Sequence, residues 1–170
     1  MTVARHGKQG ATVLRQNFMA AYGAEGLNLT GHSRGAMTIG NAMKSLAKDS
    51  GSSGVLTNTR LKFVGPAYNA QEAANLLGWL SNGTSTVVTL QNHADDFVGN
   101  IVGWNLATYD QRPGDSNHVK EWFRIFGDAP TVHSCYGTMA VSKEGCRDNY
   151  GPPVTTELQS RHSTPLGRPQ

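Results

Sequence analysis

A serine between two glycines is the feature of this sequence that most directly suggests chemistry. Gly31-His32-Ser33-Arg34-Gly35 fits the pattern G-x-S-x-G, with an alternating segment, Leu27–Thr30, before it and an amphipathic segment after it. A tight strand-to-helix turn of this kind exposes the serine hydroxyl as a nucleophile. The turn leaves no room for neighbouring side chains, which predicts a steric need for both glycines. The backbone N–H of Arg34, at the start of the helix, is the expected oxyanion donor.

A nucleophilic serine needs a base, and the base needs a group that orients it. The expected order along the chain is serine, acid, histidine. Asp95 and Asp96 follow a β-branched segment, Thr86–Leu90, and so lie at the carboxyl end of a predicted strand, where ligands bind in parallel sheets. His133 follows a short extended segment. The sequence therefore predicts a catalytic group of Ser33, His133 and one of the two aspartates.

Each of these side chains has a structural alternative. The aspartates could cap the segment that follows them, and His133 could be a core histidine bonded to a carbonyl. His93 also follows the strand, but it precedes the acids, which is the wrong order for a base. His32 is expected to shape the oxyanion region or to pack nearby, and the Arg34 side chain could contact an anionic substrate or simply be exposed. No metal-site spacing is present and no cofactor is expected. Three further histidines show no partner pattern: His6, His118 and His162.

The elements that must position these residues alternate between helix and strand. Strands alternating with helices of this length predict a parallel sheet with right-handed crossovers. We therefore expect an α/β fold of three layers, in which helices flank a small, mostly parallel sheet. The predicted order is helix Thr12–Tyr22, strand Leu27–Thr30, helix Ala36–Ala47, strand Arg60–Val64, a helix capped by Asn69, strand Thr86–Leu90, a helix from Val119 to Phe126 and a short extended piece, Pro130–Tyr136.

Composition bounds the class of protein. A chain of 170 residues, 38% of them hydrophobic, fits one domain, which we place at 1–146, followed by a tail at 147–170 that is rich in Pro, Ser and Thr and has little structure of its own. The apolar runs are only a few residues long, which excludes a polytopic membrane protein and predicts no transmembrane segment. The net charge of +3 is not gathered into a basic stripe with interleaved aromatic residues, so nucleic acid is not the favoured partner.

The two cysteines leave two alternatives open. Cys135 and Cys146 could close a small disulfide loop, or they could be two buried free thiols, because the compartment decides and the sequence does not give it. Met1–Gly10 has no apolar region typical of a secretory signal. We therefore expect either a cytoplasmic protein or a domain of a larger exported one.

Three local motifs resemble those of class 3 lipases, which are α/β-hydrolases. Leu29–Gly35 resembles the lipase elbow, Asp96-Phe97-Val98 resembles the Asp-Pro-Val acid motif, and His133–Tyr136 resembles His-x-x-Tyr. The resemblance favours Asp96 as the acid and makes Tyr136 a candidate site residue. It implies a truncated α/β-hydrolase-like fold, because Met1–Gly7 could supply at most one strand and a loop. Whether the oxyanion hole is complete stays open.

A second resemblance covers about Gly26–Tyr136. The stretches Gly-His-Ser-Arg-Gly-Ala-Met-Thr, Phe-Val-Gly-Pro-Ala-Tyr-Asn and Asp-Phe-Val-Gly resemble C-terminal domains of filamentous-haemagglutinin-like exoproteins of contact-dependent growth inhibition. It implies a secreted or cell-surface bacterial toxin domain that is delivered into a target bacterium and neutralised by a cognate immunity protein. The expected activity is hydrolysis of an acyl ester or a phospholipid by serine, histidine and aspartate. The alternatives are an inert hydrolase-like module that binds an immunity or delivery partner, and a nuclease toxin.

Overall fold

The computed structural model describes residues 3–114, 116–127, 131–136 and 145–161, and their side chains from residue 11 onward. The helix–strand alternation predicted over the first half of the chain is confirmed. In chain order the helices and strands are α1 (Val3–Tyr22), β1 (Asn28–Ser33), α2 (Arg34–Leu46), β2 (Arg60–Pro66), α3 (Ala70–Leu80), β3 (Val87–Gln91), α4 (His118–Phe123), α5 (Cys146–Tyr150) and β4 (Thr156–Gln159).

The four strands form one sheet in the order β1-β2-β3-β4. The first three strands are parallel, with Leu29 paired to Leu61 and Phe63 paired to Leu90, whereas β4 runs antiparallel to β3. The mixed α/β class and the small, mostly parallel sheet are therefore confirmed. The carboxyl ends of β1, β2 and β3 meet at one edge of the sheet, and the candidate site residues follow these ends.

The first helix is longer than expected. It begins at Val3 rather than Thr12, so the segment expected to give at most a strand and a loop is helical from Val3 onward. The interior glycines, Gly7 and Gly10, each cost about 1 kcal/mol relative to alanine. They do not end the helix, because propagation adds a hydrogen bond for each residue once a helix has begun.

The main core lies between the sheet and helices α2 and α3. The apolar positions predicted for α2 are buried, and Asn69 caps α3 as predicted by accepting a hydrogen bond from the Glu72 N–H at 2.8 Å. The fully buried members of this core with the largest side chains are Met19, Ile39, Met43, Leu56, Phe63, Leu77, Leu80, Val88 and Leu90.

The described residues form two layers, where three were expected. α2 packs against β1, β2 and α3, which puts both helices on one face of the sheet. α2 connects β1 to β2, and α3 connects β2 to β3, so both connections move the same way across the sheet. Because such connections are right-handed, both helices lie on the same face. No helix packs on the other face in the described part of the chain. Polar side chains at alternate strand positions line an open groove of about 510 Å³ there. They include Asn28, Thr30, Arg60, Lys62, Thr89 and Glu157.

The predicted tail is wrong for 147–161. α5 lies at its start, and β4 adds a strand to the sheet through pairs such as Leu158 with Val88. The domain therefore extends at least to Arg161, and 162–170 lie outside the described residues. The sequence signal was weak because β4 has only four residues and three of them are exposed, which leaves little hydrophobic alternation to detect.

The segment between β3 and α5 is mostly irregular. A π-helical turn spans Val98–Val102, and the predicted helix from Val119 to Phe126 is observed as α4 followed by a 3₁₀ turn, Arg124–Phe126. The stretch expected to be extended before Tyr136 contains a 3₁₀ turn, Val132–Ser134. The Ser134 hydroxyl accepts from the Thr131 N–H at 3.1 Å, which favours the turn over a strand; Pro130 lies outside the described residues. Over the described ranges no helix is both long and apolar enough to cross a bilayer.

Candidate active site

Ser33 occupies a strained turn between β1 and α2. Its backbone has φ 52° and ψ −123°, a conformation that costs a non-glycine residue about 1–3 kcal/mol. A register shift between His32 and Ser33 ends the regular pairing with β2 at this point, and the Ser33 carbonyl accepts from the Ala67 N–H at 3.1 Å. The strain is held by the strand before it and the helix after it, as a nucleophile turn requires.

The two glycines of the motif differ in their surroundings. A methyl group at Gly31 would lie 2.7 Å from the Ala36 Cα and 2.8 Å from the Ala36 nitrogen, so a side chain there would collide with the first turn of α2. At Gly35 a methyl group would meet nothing within 4 Å. The expected steric need is therefore correct for Gly31 and wrong for Gly35, because the first turn of α2 points residue 35 away from β1.

Asp96 holds His133 with both carboxylate oxygens. The His133 Nδ1 lies 3.0 Å from Oδ1 and 2.9 Å from Oδ2 of the buried Asp96. The Oδ1 atom also accepts from the backbone N–H groups of Val98 and Gly99, so Asp96 caps the following turn as well as binding the histidine. The Tyr136 hydroxyl donates to Oδ2 at 2.6 Å.

The hydrogen bonds around Asp96 determine which ring nitrogen of His133 faces away from the carboxylate. Burial by itself would raise the pKa of Asp96, but the bonds from His133, Tyr136 and the Gly99 N–H outweigh it and lower that pKa. Burial and the Asp96 charge raise the pKa of Tyr136 well above its usual value, so its hydroxyl stays a donor. An ionised Asp96 accepts from His133 Nδ1–H, so in the neutral imidazole Nε2 is the nitrogen that can take a proton.

Two contacts place the Asp96–His133 pair close to Ser33. The His133 carbonyl oxygen is 2.9 Å from Nε2 of His32, the residue before Ser33, and the two imidazole rings stack at a centroid distance of 4.7 Å. The second contact is at Gly65 on β2, the strand beside β1. Asp96 lies so close to this glycine that a methyl group there would be 2.5 Å from the Asp96 Oδ2. Within the described part of the chain the Ser33 hydroxyl makes no hydrogen bond to His133. Such bonds are often long without substrate and tighten when it binds.

His93 has both ring nitrogens occupied. Its Nδ1 accepts from the Asp95 N–H at 2.9 Å, and its Nε2 lies 2.6 Å from the Gln111 carbonyl, to which it must donate. The ring is fully buried, and burial lowers its pKa. His93 is therefore a neutral histidine that connects two loops, and the structure gives it no orientation toward Ser33.

Asp95 belongs to a separate cluster. Its buried carboxylate pairs with the Arg112 Nε at 2.8 Å and with the His118 Nδ1. Asp95 therefore anchors the segment around Arg112, while its neighbour Asp96 binds His133. Sequence reasoning missed His118, because the two partners are 23 residues apart and no spacing rule joins them.

The oxyanion donor predicted at Arg34 has suitable placement. Arg34 is the first residue of α2, so its N–H is among the donors that have no partner within the helix. A second donor usually comes from a loop after an earlier strand. In the described ranges β1 is an edge strand, and no strand lies on its other side. The Arg34 side chain is exposed.

A disulfide joins the turn that carries His133 to α5. Cys135 and Cys146 are bonded, with Cα atoms 5.3 Å apart, which settles the alternative that the sequence left open. With Val132 and Tyr150 they form a small buried cluster. The Tyr150 hydroxyl donates to the buried Glu121 at 2.6 Å and so connects α5 to α4.

The comparisons with known proteins find no relative. No protein-family model matches the chain, and neither a curated protein nor a solved structure matches it. Across the ranges that the structure describes, no group of three or more His, Cys, Asp or Glu side chains could hold a metal ion. The site is therefore interpreted from its own geometry. Ser33 has a strained backbone, His133 stacks against His32, the residue before Ser33, and the buried Asp96 carboxylate contacts His133.

Proposed function

We propose that this chain is a serine hydrolase that cleaves carboxylic esters. Ser33 is the nucleophile, His133 the general base and acid, and Asp96 the group that orients His133. The single observation that carries the proposal is the Asp96–His133 pair beside the strained Ser33 turn. It supplies a base with a free Nε2 close to the half-buried Ser33, which is the arrangement that nucleophilic serine catalysis needs.

The proposed reaction has two halves. The Ser33 Oγ attacks the ester carbonyl carbon while His133 Nε2 takes the hydroxyl proton, and Asp96 stabilises the imidazolium. The Arg34 N–H donates to the oxyanion. The intermediate collapses, His133 gives its proton to the departing alkoxide, and an acyl-serine remains. Water, deprotonated by His133, then attacks the acyl-serine. His133 returns that proton to the Ser33 Oγ as the acyl–oxygen bond breaks, which releases the acid and free Ser33.

Exposed apolar side chains support an acyl substrate. The segment that follows Asp96 and the helix α4 carry large hydrophobic residues that the described fold leaves uncovered, and the Phe97 and Trp122 rings join the two segments at a centroid distance of 6.1 Å. An acyl ester or a phospholipid would present matching apolar chains. The exposed residues are Ile101, Val102, Trp104, Leu106, Val119, Phe123 and Phe126.

The proposed biological setting is a bacterial antagonistic toxin domain. The support is the resemblance of residues 26–136 to domains of contact-dependent-inhibition exoproteins, which also implies delivery into a target bacterium and a cognate immunity protein. The setting predicts that expression in a bacterium without immunity protein inhibits growth, and that Ser33→Ala removes the inhibition. Growth inhibition by Ser33→Ala equal to that by the wild type would contradict it.

A second candidate is an inert hydrolase-like module that binds an immunity or delivery partner. The open side of β1 favours it, because a second oxyanion donor is expected there and the described residues supply none. This candidate predicts a folded protein in which Ser33→Ala changes nothing measurable.

Hydrolysis of a series of p-nitrophenyl esters distinguishes the two candidates. The hydrolase predicts turnover that Ser33→Ala abolishes and that Asp96→Asn lowers by about 10⁴-fold in kcat, because the asparagine favours the wrong tautomer of His133. Circular dichroism checks that both variants are folded. No turnover by folded wild type would support the inert module. Cleavage of RNA or DNA that survives Ser33→Ala would support the nuclease alternative.

A further inference from the structure

We propose that His32 is a positioning residue for His133: it fixes the plane of the His133 imidazole and its distance from Ser33. This inference rests on the proposed serine hydrolase. Two contacts carry it, the bond between His32 Nε2 and the His133 carbonyl at 2.9 Å, and the ring stack at 4.7 Å with an angle of 28° between the planes. Neither contact involves the reacting atoms, so His32 acts through His133.

Asp96 alone does not fix the base. Its carboxylate holds His133 at Nδ1, and this bond lets the ring turn about the line between the two groups. The His32 ring covers one face of the imidazole and removes that freedom on its side. The Tyr136 ring stands nearly perpendicular to it, at a centroid distance of 6.4 Å and an angle of 86°. The imidazole is therefore held at one edge by a hydrogen bond and on one face by His32.

The position of His32 in the chain makes it a link between base and nucleophile. His32 is paired with Val64 at the last regular position of β1, and the strained Ser33 follows it directly. The bond from the His32 ring to the His133 backbone therefore ties the turn that carries the base to the residue beside the nucleophile. A shift of about 1 Å between such groups can lower a rate by about 100-fold.

The hydrogen bond also determines which ring nitrogen of His32 carries its proton. A carbonyl oxygen only accepts, so His32 Nε2 must carry the proton. Desolvation of the ring lowers the His32 pKa, and the charge of His133 adds to that effect, while the carbonyl bond and Asp96 oppose it. A neutral His32 can stack on His133 when the latter becomes an imidazolium during catalysis, with no repulsion between two positive rings.

Three substitutions separate the two contacts. His32→Gln keeps an N–H donor for the carbonyl without an aromatic ring, His32→Phe keeps a ring without the donor, and His32→Ala removes both. Thr30→Ala is the matched control, because Thr30 is exposed on the same strand, two residues earlier. For each protein we would measure kcat and KM for p-nitrophenyl butyrate, the rate constant for labelling of Ser33 by a fluorophosphonate, and the melting temperature.

We expect His32→Ala to lower kcat and the labelling rate by about 10- to 100-fold, with KM and the melting temperature close to those of the wild type. His32→Gln and His32→Phe should each recover part of the loss, and Thr30→Ala should match the wild type. Partial recovery by the two single-contact variants also keeps the test valid if His32→Ala fails to fold.

Three results would overturn the inference. The first is a kcat of His32→Ala within twofold of the wild type, and the second is a loss of kcat that only follows the fraction of unfolded protein. The third is a wild-type kcat in His32→Gln, which would mean that the ring stack has no effect. Failure of the proposed function looks different. In that case the wild type itself shows no labelling at Ser33, whereas failure of this inference leaves the wild type and His32→Ala labelled at equal rates.

Discussion

The proposed nucleophile and the Asp96–His133 pair lie in two regions of the molecule that are stabilised by different interactions. The sheet region, residues 28–91, carries Ser33 and packs around a continuous apolar core. The acid–base region, 92–127 with 131–136 and 145–150, carries Asp96 and His133 and has an apolar cluster of only four residues. It instead buries three carboxylates completely or almost completely, those of Asp95, Asp96 and Glu121.

Directional bonds replace apolar packing in the acid–base region. The Asn100 side chain donates to the carbonyls of His93, Ala94 and Asp96. The Asn105 side chain donates to the Gly99 carbonyl in the π-helical turn and to the Pro66 carbonyl at the end of β2. A buried polar group that loses such a partner costs about 1–3 kcal/mol. Apolar packing therefore sets the stability of this fold, whereas hydrogen bonds set the geometry of the Asp96–His133 pair.

A pair of substitutions, one in each region, should therefore separate stability from activity. Phe63→Ala removes a fully buried ring from the sheet region and should lower the free energy of unfolding by about 3–5 kcal/mol, measured by urea titration. The molecules that remain folded should keep normal kcat.

Tyr136→Phe is the matched change in the acid–base region. It removes the hydroxyl that donates to Asp96 and accepts from the His93 N–H at 3.0 Å. We expect kcat to fall by up to about 100-fold, with a loss of stability of about 1–3 kcal/mol. If Phe63→Ala lowered kcat in the folded molecules as much as Tyr136→Phe does, the division between the regions would be wrong.

Reduction of the disulfide should affect the acid–base region most. The Cys135–Cys146 bond joins residues that are 11 positions apart, so cleavage by dithiothreitol should lower the free energy of unfolding by about 2–3 kcal/mol. Because Cys135 lies two residues after His133, kcat should fall at concentrations of urea that leave the sheet region folded. A double variant, Cys135→Ala with Cys146→Ala, is the control and should not respond to dithiothreitol. A wild type that keeps its stability and its kcat after complete reduction would contradict this.

The two motif glycines give a smaller and sharper test. Gly31→Ala should destabilise the protein by about 1–3 kcal/mol, because its methyl group collides with the α2 backbone. Gly35→Ala should be neutral or stabilise by up to about 1 kcal/mol, since the site is open and alanine favours a helix. Thermal unfolding measures both. Equal losses for the two variants would contradict the difference in their surroundings.

The pH dependence of stability should be the smallest effect. Burial lowers the pKa of His93 in the native protein, so below pH 6.5, the ordinary value, the unfolded chain binds a proton that the native protein does not. The free energy of unfolding should therefore fall as the pH drops from 6.5 toward the native pKa of His93. His32, whose pKa is also lowered, acts in the same direction.

His93→Gln should reduce the slope of stability against pH in that window, measured by urea titrations between pH 7 and 5. Asp96, whose pKa is lowered, should add a separate loss only as the pH falls below about 3.8. An unchanged slope in His93→Gln would mean that His93 does not titrate as a buried neutral ring.

The sheet region was the easier one to predict. Apolar residues at helical spacing located α2 and α3, the Asn69 cap was readable, and the serine motif marked the β1–α2 turn. These signals are local, and each depends on residues within one or two turns of one another. The two-layer arrangement was missed because nothing in the sequence shows which face of a sheet stays open.

The acid–base region was predictable only where a motif or the chain order helped. Asp96 and His133 were singled out on those grounds, and the structure brings them together. His118 was missed because its partner is far along the chain, and Gly65 because its role is to leave space for Asp96. The strand β4 was missed because four mostly exposed residues carry almost no periodic signal. Contacts of this kind appear only once the chain is folded.

Labelling of Ser33 tests the central claim most directly. We would treat the folded protein with a fluorophosphonate and map the adduct by mass spectrometry, with His133→Ala and Asp96→Asn as controls. The proposed hydrolase predicts a stoichiometric adduct at Ser33 that is lost in His133→Ala and much slower in Asp96→Asn. An unlabelled Ser33 in folded wild type, or labelling that does not depend on His133, would contradict it.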